Sequence, residues 1–334
     1  MDVTVLGAGS WGTALAILLA RNGHRVRVHG RNPSALRSLD RQHENIRYLP
    51  GFAVPREVEV VLDADALEPC DLWLVAVPAA GAREAFGQIR GESPVVGIAS
   101  KGLESVTAKL LSEVAAEVIP DARIGAVSGP NLAVEIVRGI PTAAVAASPL
   151  EPVAEAIRRA LMCRTYRVYL SDDLIGVELA GAVKNVLAIG AGISDGLGFG
   201  DNTKASLLAR GLHEMTSLGL ALGARLDTFL GVAGVGDLFA TAVSTLSRNY
   251  RVGRMVGEGM SISAALEAVG QVAEGVSTSE AVLVMAERLG VEVPVLTAIE
   301  SVLLGRVEAQ VAVSLLMERQ PKREGFLKAE RRPH

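Results

Sequence analysis

The feature that most constrains the fold is a short apolar run near the start of the chain that leads directly into a glycine-rich turn. Residues 3–6 read Val-Thr-Val-Leu, and the next six read Gly7-Ala-Gly9-Ser10-Trp11-Gly12. Residues 13–22 carry apolar side chains at helical spacing, and Gly23 ends the segment. This order predicts a strand, a tight turn and a helix. Because a second apolar strand is predicted at residues 25–29, the segment has the pattern of a parallel β-α-β unit.

The glycines of such a unit let the backbone approach a ligand, and the helix N-terminus offers free N–H groups to a pyrophosphate. We therefore predict that Gly7, Gly9 and Gly12 bind a dinucleotide, with a merely structural turn as the alternative. The second strand runs into His29-Gly30-Arg31-Asn32, without the carboxylate that NAD-preferring sites carry for the ribose. Arg31 suits a 2'-phosphate, which favours NADP, or dual use of NADP and NAD, over a solvated loop arginine.

The rest of the chain divides into a strand-rich part and a helix-rich part. Short apolar runs predict further buried strands at residues 72–77, 95–99, 124–128, 143–147 and 165–170. Helical periodicity then dominates at residues 174–193, 203–222, 263–268, 277–289 and 296–304. The predicted class is α/β, with an N-terminal Rossmann-type doubly wound, largely parallel sheet in residues 1–173 and an all-α C-terminal domain in residues 174–334.

A lysine interrupts the apolar run of residues 179–189. A buried ammonium is costly without a counter-charge, so Lys184 is predicted to have a partner or a catalytic use, at a cleft between the two domains. Asp237, a lone acid in the glycine-rich stretch of residues 231–238, suits it as a counter-charge. We expect that stretch to approach a ligand closely, and we interpret the earlier one, residues 190–201, as punctuation between helices.

Three further segments carry candidate ligand contacts. Lys101 and the backbone of residues 129–133 follow predicted strands, whose carboxyl ends bind ligands in open α/β sheets. A surface lysine is the alternative for Lys101. The triplet Ser247-Arg248-Asn249 is a donor cluster suited to a phosphate, with a solvated loop as its alternative.

Composition excludes several classes of function. A net charge of -4 with scattered basic residues gives no footprint for nucleic acid. Two distant cysteines and five dispersed histidines predict no metal site or disulfide framework. No uncharged apolar stretch reaches the roughly 18 residues of a membrane span, so we expect a cytoplasmic protein. The charged tail past Glu318 is predicted to be solvated and frayed.

Together the motifs resemble the bacterial-type glycerol-3-phosphate dehydrogenases that use NAD(P). The resemblance covers nearly the whole chain and rests on motifs in the family's order: GAGSWGTALA, SKGLE, SGPNLA, ELAGAVKNVLAIGAGISDGLGFGDN, GVGDL, SRN and AEG. It implies reduction of dihydroxyacetone phosphate to sn-glycerol 3-phosphate, which supplies phospholipid synthesis, and it implies a homodimer.

The resemblance also implies roles for individual residues. Lys184 would transfer the proton, with Asp237 and Asn185 beside it. The phosphorylated substrate would contact Lys101, Gly129, Asn131, Lys184, Asp237, Ser247, Arg248 and Asn249. The dinucleotide would contact Ser10, Trp11, Arg31, Lys101, Ala133, Arg248, Val272 and Glu274, in addition to the glycine turn.

Two alternatives stay open at this point. One is a β-hydroxyacid dehydrogenase of the same architecture, against which the phosphate-binding triplet argues. The other is a non-catalytic NADPH-binding sensor that has kept the fold and lost the chemistry. The intact set of Lys184, Asn185, Asp237 and Arg248 argues against this second alternative.

Overall fold

The computed structural model describes residues 1–320, so the tail prediction for the last residues lies outside the described part. Its strands are β1 (Asp2–Leu6), β2 (Arg25–His29), β3 (Glu44–Asn45), β4 (Leu49–Ala53), β5 (Glu59–Val60), β6 (Leu72–Val75), β7 (Val95–Ile98), β8 (Arg123–Ser128), β9 (Thr142–Ala147) and β10 (Tyr166–Ser171). All but β3 and β4 form one sheet in the order β10-β9-β8-β7-β6-β1-β2-β5. The predicted doubly wound α/β sheet is thereby confirmed.

Within residues 1–320, the helices α1 to α6 alternate with the strands of this sheet, and the helices α7 to α15 follow the last strand. They are α1 (Ser10–Arg21), α2 (Pro33–Gln42), α3 (Ala82–Phe86), α4 (Leu111–Val118), α5 (Ala133–Val137), α6 (Glu151–Leu161), α7 (Leu174–Gly196), α8 (Asp201–Ala221), α9 (Leu226–Leu230), α10 (Asp237–Val243), α11 (Arg248–Gly257), α12 (Ile262–Val269), α13 (Glu274–Leu289), α14 (Pro294–Leu303) and α15 (Ala309–Met317). Short 3-10 helices lie at Ala64–Ala66 and Ala79–Gly81, and a π-helical turn lies at Val232–Gly236.

Two hydrophobic cores cover the two faces of the sheet. On one face Leu15 of α1 and Ile157 of α6 belong to the same buried cluster as Val5 of β1. On the other face Phe86 of α3 packs in a cluster with Trp73 of β6. The sheet is largely parallel, as predicted, and β8 and β9 form its one antiparallel pair among residues 1–320. An apolar run predicts a buried strand but carries no information on its direction.

Helix α7 is the core of the second half. Its length and mean hydropathy of 1.6 match those of a membrane span, but 89% of that apolar window is buried inside the protein. Asp173 caps its first turn by accepting a hydrogen bond from the Gly176 amide. The helix is buried on all sides because other helices of the second half and the strands β8 and β9 surround it.

The first glycine-rich stretch divides between a helix and a turn. Gly190, Gly192 and Gly196 lie inside α7, which corrects the interpretation for them, whereas Gly198 and Gly200 lie between α7 and α8 as predicted. Gly192 and Gly196 let α11 approach the backbone of α7. A Cβ on Gly192 would lie 2.1 Å from the carbonyl oxygen of Tyr250, and one on Gly253 would lie 2.0 Å from that of Ile189. Close contact of two helix backbones, rather than a turn, therefore requires glycine here.

The second glycine-rich stretch forms a tight helical turn. Residues 232–236 are the π-helical turn, and none of residues 231–236 lines the large cleft described below. Gly234 packs on α9, where a Cβ would lie 2.2 Å from the carbonyl oxygen of Phe229. The stretch leads into α10 and places Asp237 at the first position of that helix.

Candidate active site

A cleft of about 600 Å³ lies between the carboxyl ends of the first strands and the helices of the second half. Most of the predicted site residues line it: Gly7, Gly9, Ser10, Trp11, Arg31, Lys101, Asn131, Ala133, Lys184, Asn185, Ser247, Arg248, Asn249, Val272 and Glu274. Gly12, Gly129 and Asp237 lie behind this lining. A second groove, of about 560 Å³, lies between α13, α14 and α15 and is lined by none of these residues.

The glycine turn has the geometry of a pyrophosphate cradle. Gly7 has a φ of +121°, and a Cβ there would lie 2.4 Å from the carbonyl oxygen of Ala76. A Cβ on Gly12 would lie 1.7 Å from the Gly7 carbonyl oxygen, whereas one on Gly9 would meet nothing within 4 Å. Gly7 and Gly12 are therefore required by packing, and Gly9 keeps space open beside the N-terminus of α1.

Other cleft-lining residues surround this turn. Trp11 donates from Nε1 to the carbonyl oxygen of Ala99 at 3.1 Å, which fixes its ring against the wall. Ala133 and Glu274 are the first residues of α5 and α13, and Val272 is half exposed at the rim. Burial raises the pKa of Glu274 to about 7, while the nearby Arg248 opposes this rise.

Arg31 lies at the outer end of the cleft. A Cβ on Gly81 would lie 3.4 Å from its Cζ, and its Nη1 lies 3.7 Å from Oε2 of Glu84. Its side chain is 59% exposed, and the preceding strand ends at His29, whose Nδ1 pairs with the Val61 carbonyl oxygen. A ligand phosphate can reach this guanidinium because the ion pair that holds it is long and exposed.

Two lysines share one buried carboxylate at the inner end of the cleft. Nζ of Lys184 lies 2.8 Å from Oδ1 of Asp237, and Nζ of Lys101 lies 2.5 Å from Oδ2. Lys184 also donates to Oγ1 of Thr241 at 2.7 Å, and Lys101 donates to the Gly129 carbonyl oxygen at 2.8 Å. Lys101 is largely buried, so it is not the surface lysine of the alternative interpretation.

The electrostatics of this cluster set the protonation of Lys184. Burial lowers the pKa of Lys184 to about 8; the charge of Asp237 opposes this change, and that of Lys101 adds to it. Burial alone would raise the pKa of Asp237, but the two ammonium groups outweigh burial and lower it. Lys184 is therefore an ammonium that gives up its proton near neutral pH, held by a carboxylate that stays ionised.

Asn185 and Asn249 form a chain of amides beside Lys184. Nδ2 of Asn249 donates to Oδ1 of Asn185 at 2.9 Å, and Oδ1 of Asn249 accepts from the Gly275 amide at 3.0 Å. Asn185 in turn donates to the Gly181 carbonyl oxygen at 3.3 Å. These bonds fix the amide of Asn185 next to Lys184, and they use both polar atoms of Asn249 within the protein.

The triplet at residues 247–249 does not form the solvated loop of the alternative interpretation. Ser247 is the N-cap of α11 and accepts from the Tyr250 amide, and Ser247 and Asn249 are both buried. Burial lowers the pKa of Arg248, and the charge of Glu274 opposes this change, although no carboxylate within residues 1–320 forms a direct ion pair with the guanidinium. Its Nη1 lies 3.5 Å from Oε1 of Gln271. A guanidinium without a direct ion pair at a helix N-terminus suits a phosphate.

Two residues of the site were absent from the sequence prediction. Thr241 binds Lys184, and its position one helical turn after Asp237 is the signal that would have found it. Tyr166 donates its hydroxyl to Oδ1 of Asn131 at 2.7 Å. No local signal predicts that contact, because it joins the first residue of β10 to the loop after β8.

The chain was compared with known families and proteins. The family described as NAD-dependent glycerol-3-phosphate dehydrogenase matches at its N-terminus over residues 2–154 and at its C-terminus over residues 173–314. The glycerol-3-phosphate dehydrogenase [NAD(P)+] of Chlorobium phaeobacteroides is 42% identical over 97% of this chain and 99% of the relative. That of Thioalkalivibrio sulfidiphilus is 45% identical over 96% and 98%.

A solved structure gives the same result. The crystal structure of glycerol-3-phosphate dehydrogenase from Coxiella burnetii superposes with a TM-score of 0.91 at 36% identity, covering 95% of this chain and 99% of the other. The similarity thus extends over both halves of the chain, in sequence and in fold. The chain belongs to the NAD-dependent glycerol-3-phosphate dehydrogenase family.

Proposed function

We propose that this chain interconverts dihydroxyacetone phosphate and sn-glycerol 3-phosphate, with Lys184 as the proton donor and acceptor. The observation that carries the proposal is the buried cluster of Lys184, Asp237 and Lys101 in the same cleft as Arg248 and the glycine turn. A reducible carbonyl, a phosphate and a dinucleotide each have a matching partner there.

The dinucleotide fits the outer part of the cleft. Gly9 and the N-terminus of α1 would hold the pyrophosphate, and Trp11, Ala133, Val272 and Glu274 would line its path. When bound, NAD(P)H supplies the hydride. The family uses NAD or NADP, and we propose a preference for NADP because the exposed guanidinium of Arg31 is available to a 2'-phosphate.

The chain's own residues perform the rest of the reduction. Arg248 and the N-terminus of α11 would hold the phosphate, which leaves the ketone near Lys184 and Asn185. As the carbon of the carbonyl accepts the hydride, its π bond breaks and the oxygen takes a proton from Nζ of Lys184. The lysine is left neutral and Asp237 ionised, so the lysine is ready to recover a proton from solvent. In the reverse direction neutral Lys184 accepts the hydroxyl proton.

Several finer assignments belong to the same proposal. A division into domains at residues 173 and 174 would let the cleft close over its substrate and exclude water. The family matches, which cover residues 2–154 and 173–314, support this boundary. A homodimer, a cytoplasmic location and a supply of glycerol 3-phosphate to phospholipid synthesis stay predictions, and sedimentation of the purified protein tests the first of them.

A substrate comparison tests the function. We expect oxidation of NADPH with dihydroxyacetone phosphate, with kcat/KM at least a hundredfold lower for unphosphorylated dihydroxyacetone, since Arg248 then has no anion to bind. Turnover of β-hydroxyacids but not of the phosphorylated ketone would establish the hydroxyacid alternative. Tight binding of NADPH without turnover of any triose phosphate would establish the sensor alternative.

A further inference from the structure

A buried hydrogen bond connects the edge of the sheet to the wall of the cleft. Tyr166, the first residue of β10, is 1% exposed, and its hydroxyl donates to Oδ1 of Asn131 at 2.7 Å. Strand β10 is separated from β8 by β9, so the bond reaches across the sheet to the loop that follows β8. Asn131 itself lines the cleft together with Lys184 and Asn185.

The hydroxyl of Tyr166 is held in its protonated form by its surroundings. Burial raises the pKa of Tyr166 well above its ordinary value, and the negative charge of Asp237 raises it further. In the observed orientation the phenol donates to the carbonyl oxygen of the Asn131 carboxamide, so Nδ2 of that amide faces away from the phenol.

The other half of the Asn131 amide lacks a partner. Its Nδ2 is buried, and no acceptor for it exists among residues 1–320. A buried donor without an acceptor is destabilising. Asn131 lines the cleft, so an oxygen atom of a bound ligand can satisfy this donor once a small movement of the side chain uncovers it.

We propose that Tyr166 is a positioning residue for substrate binding: it holds the Asn131 amide so that its N–H group, rather than its carbonyl oxygen, is presented to an oxygen of the phosphorylated substrate. Without the phenol the amide is free to turn over, which would present a carbonyl oxygen to an anion-bearing ligand. The inference rests on the proposed function, because it explains how the proposed substrate site fixes the orientation of the Asn131 amide.

The test is a double-mutant cycle. Tyr166→Phe removes one oxygen atom from a buried ring, and we expect KM for dihydroxyacetone phosphate to rise five- to tenfold while kcat changes less than twofold. The dissociation constant of NADPH should not change. In an Asn131→Ala background the same substitution should leave KM unchanged, since the amide that it orients is gone.

A matched control separates positioning from general damage. Tyr250→Phe also deletes a hydroxyl that donates to an internal acceptor, Oδ2 of Asp195 at 2.7 Å, but Tyr250 does not line the cleft. Its KM should equal that of the wild type. The thermal midpoint of each variant shows whether it has folded, and dihydroxyacetone phosphate binding, measured by calorimetry, gives the same comparison without turnover.

The outcomes distinguish the two proposals. An unchanged KM and substrate dissociation constant in folded Tyr166→Phe, or an equal loss with and without Asn131, would overturn the positioning role. A wild type that binds the phosphorylated ketone but does not reduce it would overturn the proposed function. In that case the calorimetric cycle still decides the role of Tyr166.

Discussion

Removal of Lys101 should move the pH dependence of the reaction upward. Lys101 and Lys184 bind the two oxygens of the Asp237 carboxylate, so their ammonium groups repel each other at close range. This repulsion is one of the causes that lower the pKa of Lys184 to about 8. Lys101→Met keeps the aliphatic stem, removes the charge and leaves Asp237 to Lys184 alone.

The size of the shift follows from the geometry. Two unit charges about 5 Å apart at an effective dielectric constant of about 20 repel by about 3 kcal/mol. That energy corresponds to about two pKa units, and relaxation of the site will reduce it. We therefore expect the pKa of Lys184 to rise by about one to two units in the variant, to between about 9 and 10.

The assay is the pH profile of kcat/KM from pH 6 to about 10.5. Ketone reduction needs protonated Lys184, so its rate falls as the pH rises through the pKa, near 8 in the wild type and one to two units higher in the variant. The kcat/KM value itself will also fall in the variant, but the readout is the position of the high-pH limb of the profile, that is, the pH at which kcat/KM declines. Lys109→Met, which removes a lysine paired with Glu117 at the surface, should leave the limb in place. A limb that stays near 8 in Lys101→Met would refute the coupling.

Three further predictions concern stability and cofactor choice. Burial raises the pKa of Glu178 to about 7, so its carboxyl costs stability as the pH rises from about 4.5 through 7. Glu178→Gln should therefore be more stable than wild type by up to about 3 kcal/mol at pH 8, with no difference below pH 4.5, as measured by urea unfolding. Gly253→Ala should lose at least about 2 kcal/mol of unfolding free energy, because its Cβ would lie 2.0 Å from a carbonyl oxygen of α7. Gly200→Ala, with nothing within 4 Å of its Cβ, should change the unfolding free energy by less than about 1 kcal/mol. Arg31→Ala should raise KM for NADPH about tenfold and leave that for NADH nearly unchanged. Arg37→Ala, at an exposed position of α2 that does not line the cleft, should change neither, and equal effects of Arg31→Ala on both cofactors would contradict a 2'-phosphate contact.

Local patterns in the sequence were sufficient for much of the fold and for the ends of the cleft. The first strand, the turn with Gly7, Gly9 and Gly12, and α1 follow from residues adjacent in the chain. The lone charges of Lys184 and Asp237 in apolar segments predicted a buried pair, and the structure joins them at 2.8 Å. Two isolated opposite charges in buried segments are costly unless they pair, so their positions in the sequence were sufficient to predict this contact.

Features that depend on tertiary packing were not predictable in this way. Position 192 of α7 requires glycine because α11 crosses the helix there, and the sequence contains no sign of that crossing. The antiparallel pairing of β9 and the place of Thr241 on Lys184 depend on how the chain returns to the sheet and to the cleft. The bond from Tyr166 to Asn131 joins β10 to the loop after β8, a strand that is not its neighbour, and no periodicity in the sequence encodes such a contact.

The most direct test of the central claim is the oxidation of NADPH with dihydroxyacetone phosphate by the wild type and by Lys184→Ala. Lys204→Ala, which removes a lysine paired with Asp195 away from the cleft, is the matched control. We predict a loss of kcat of about 10²–10⁴-fold in Lys184→Ala, an unchanged dissociation constant for NADPH, and full activity in the control. Turnover by Lys184→Ala within tenfold of the wild type would contradict the assignment of Lys184 as the proton donor.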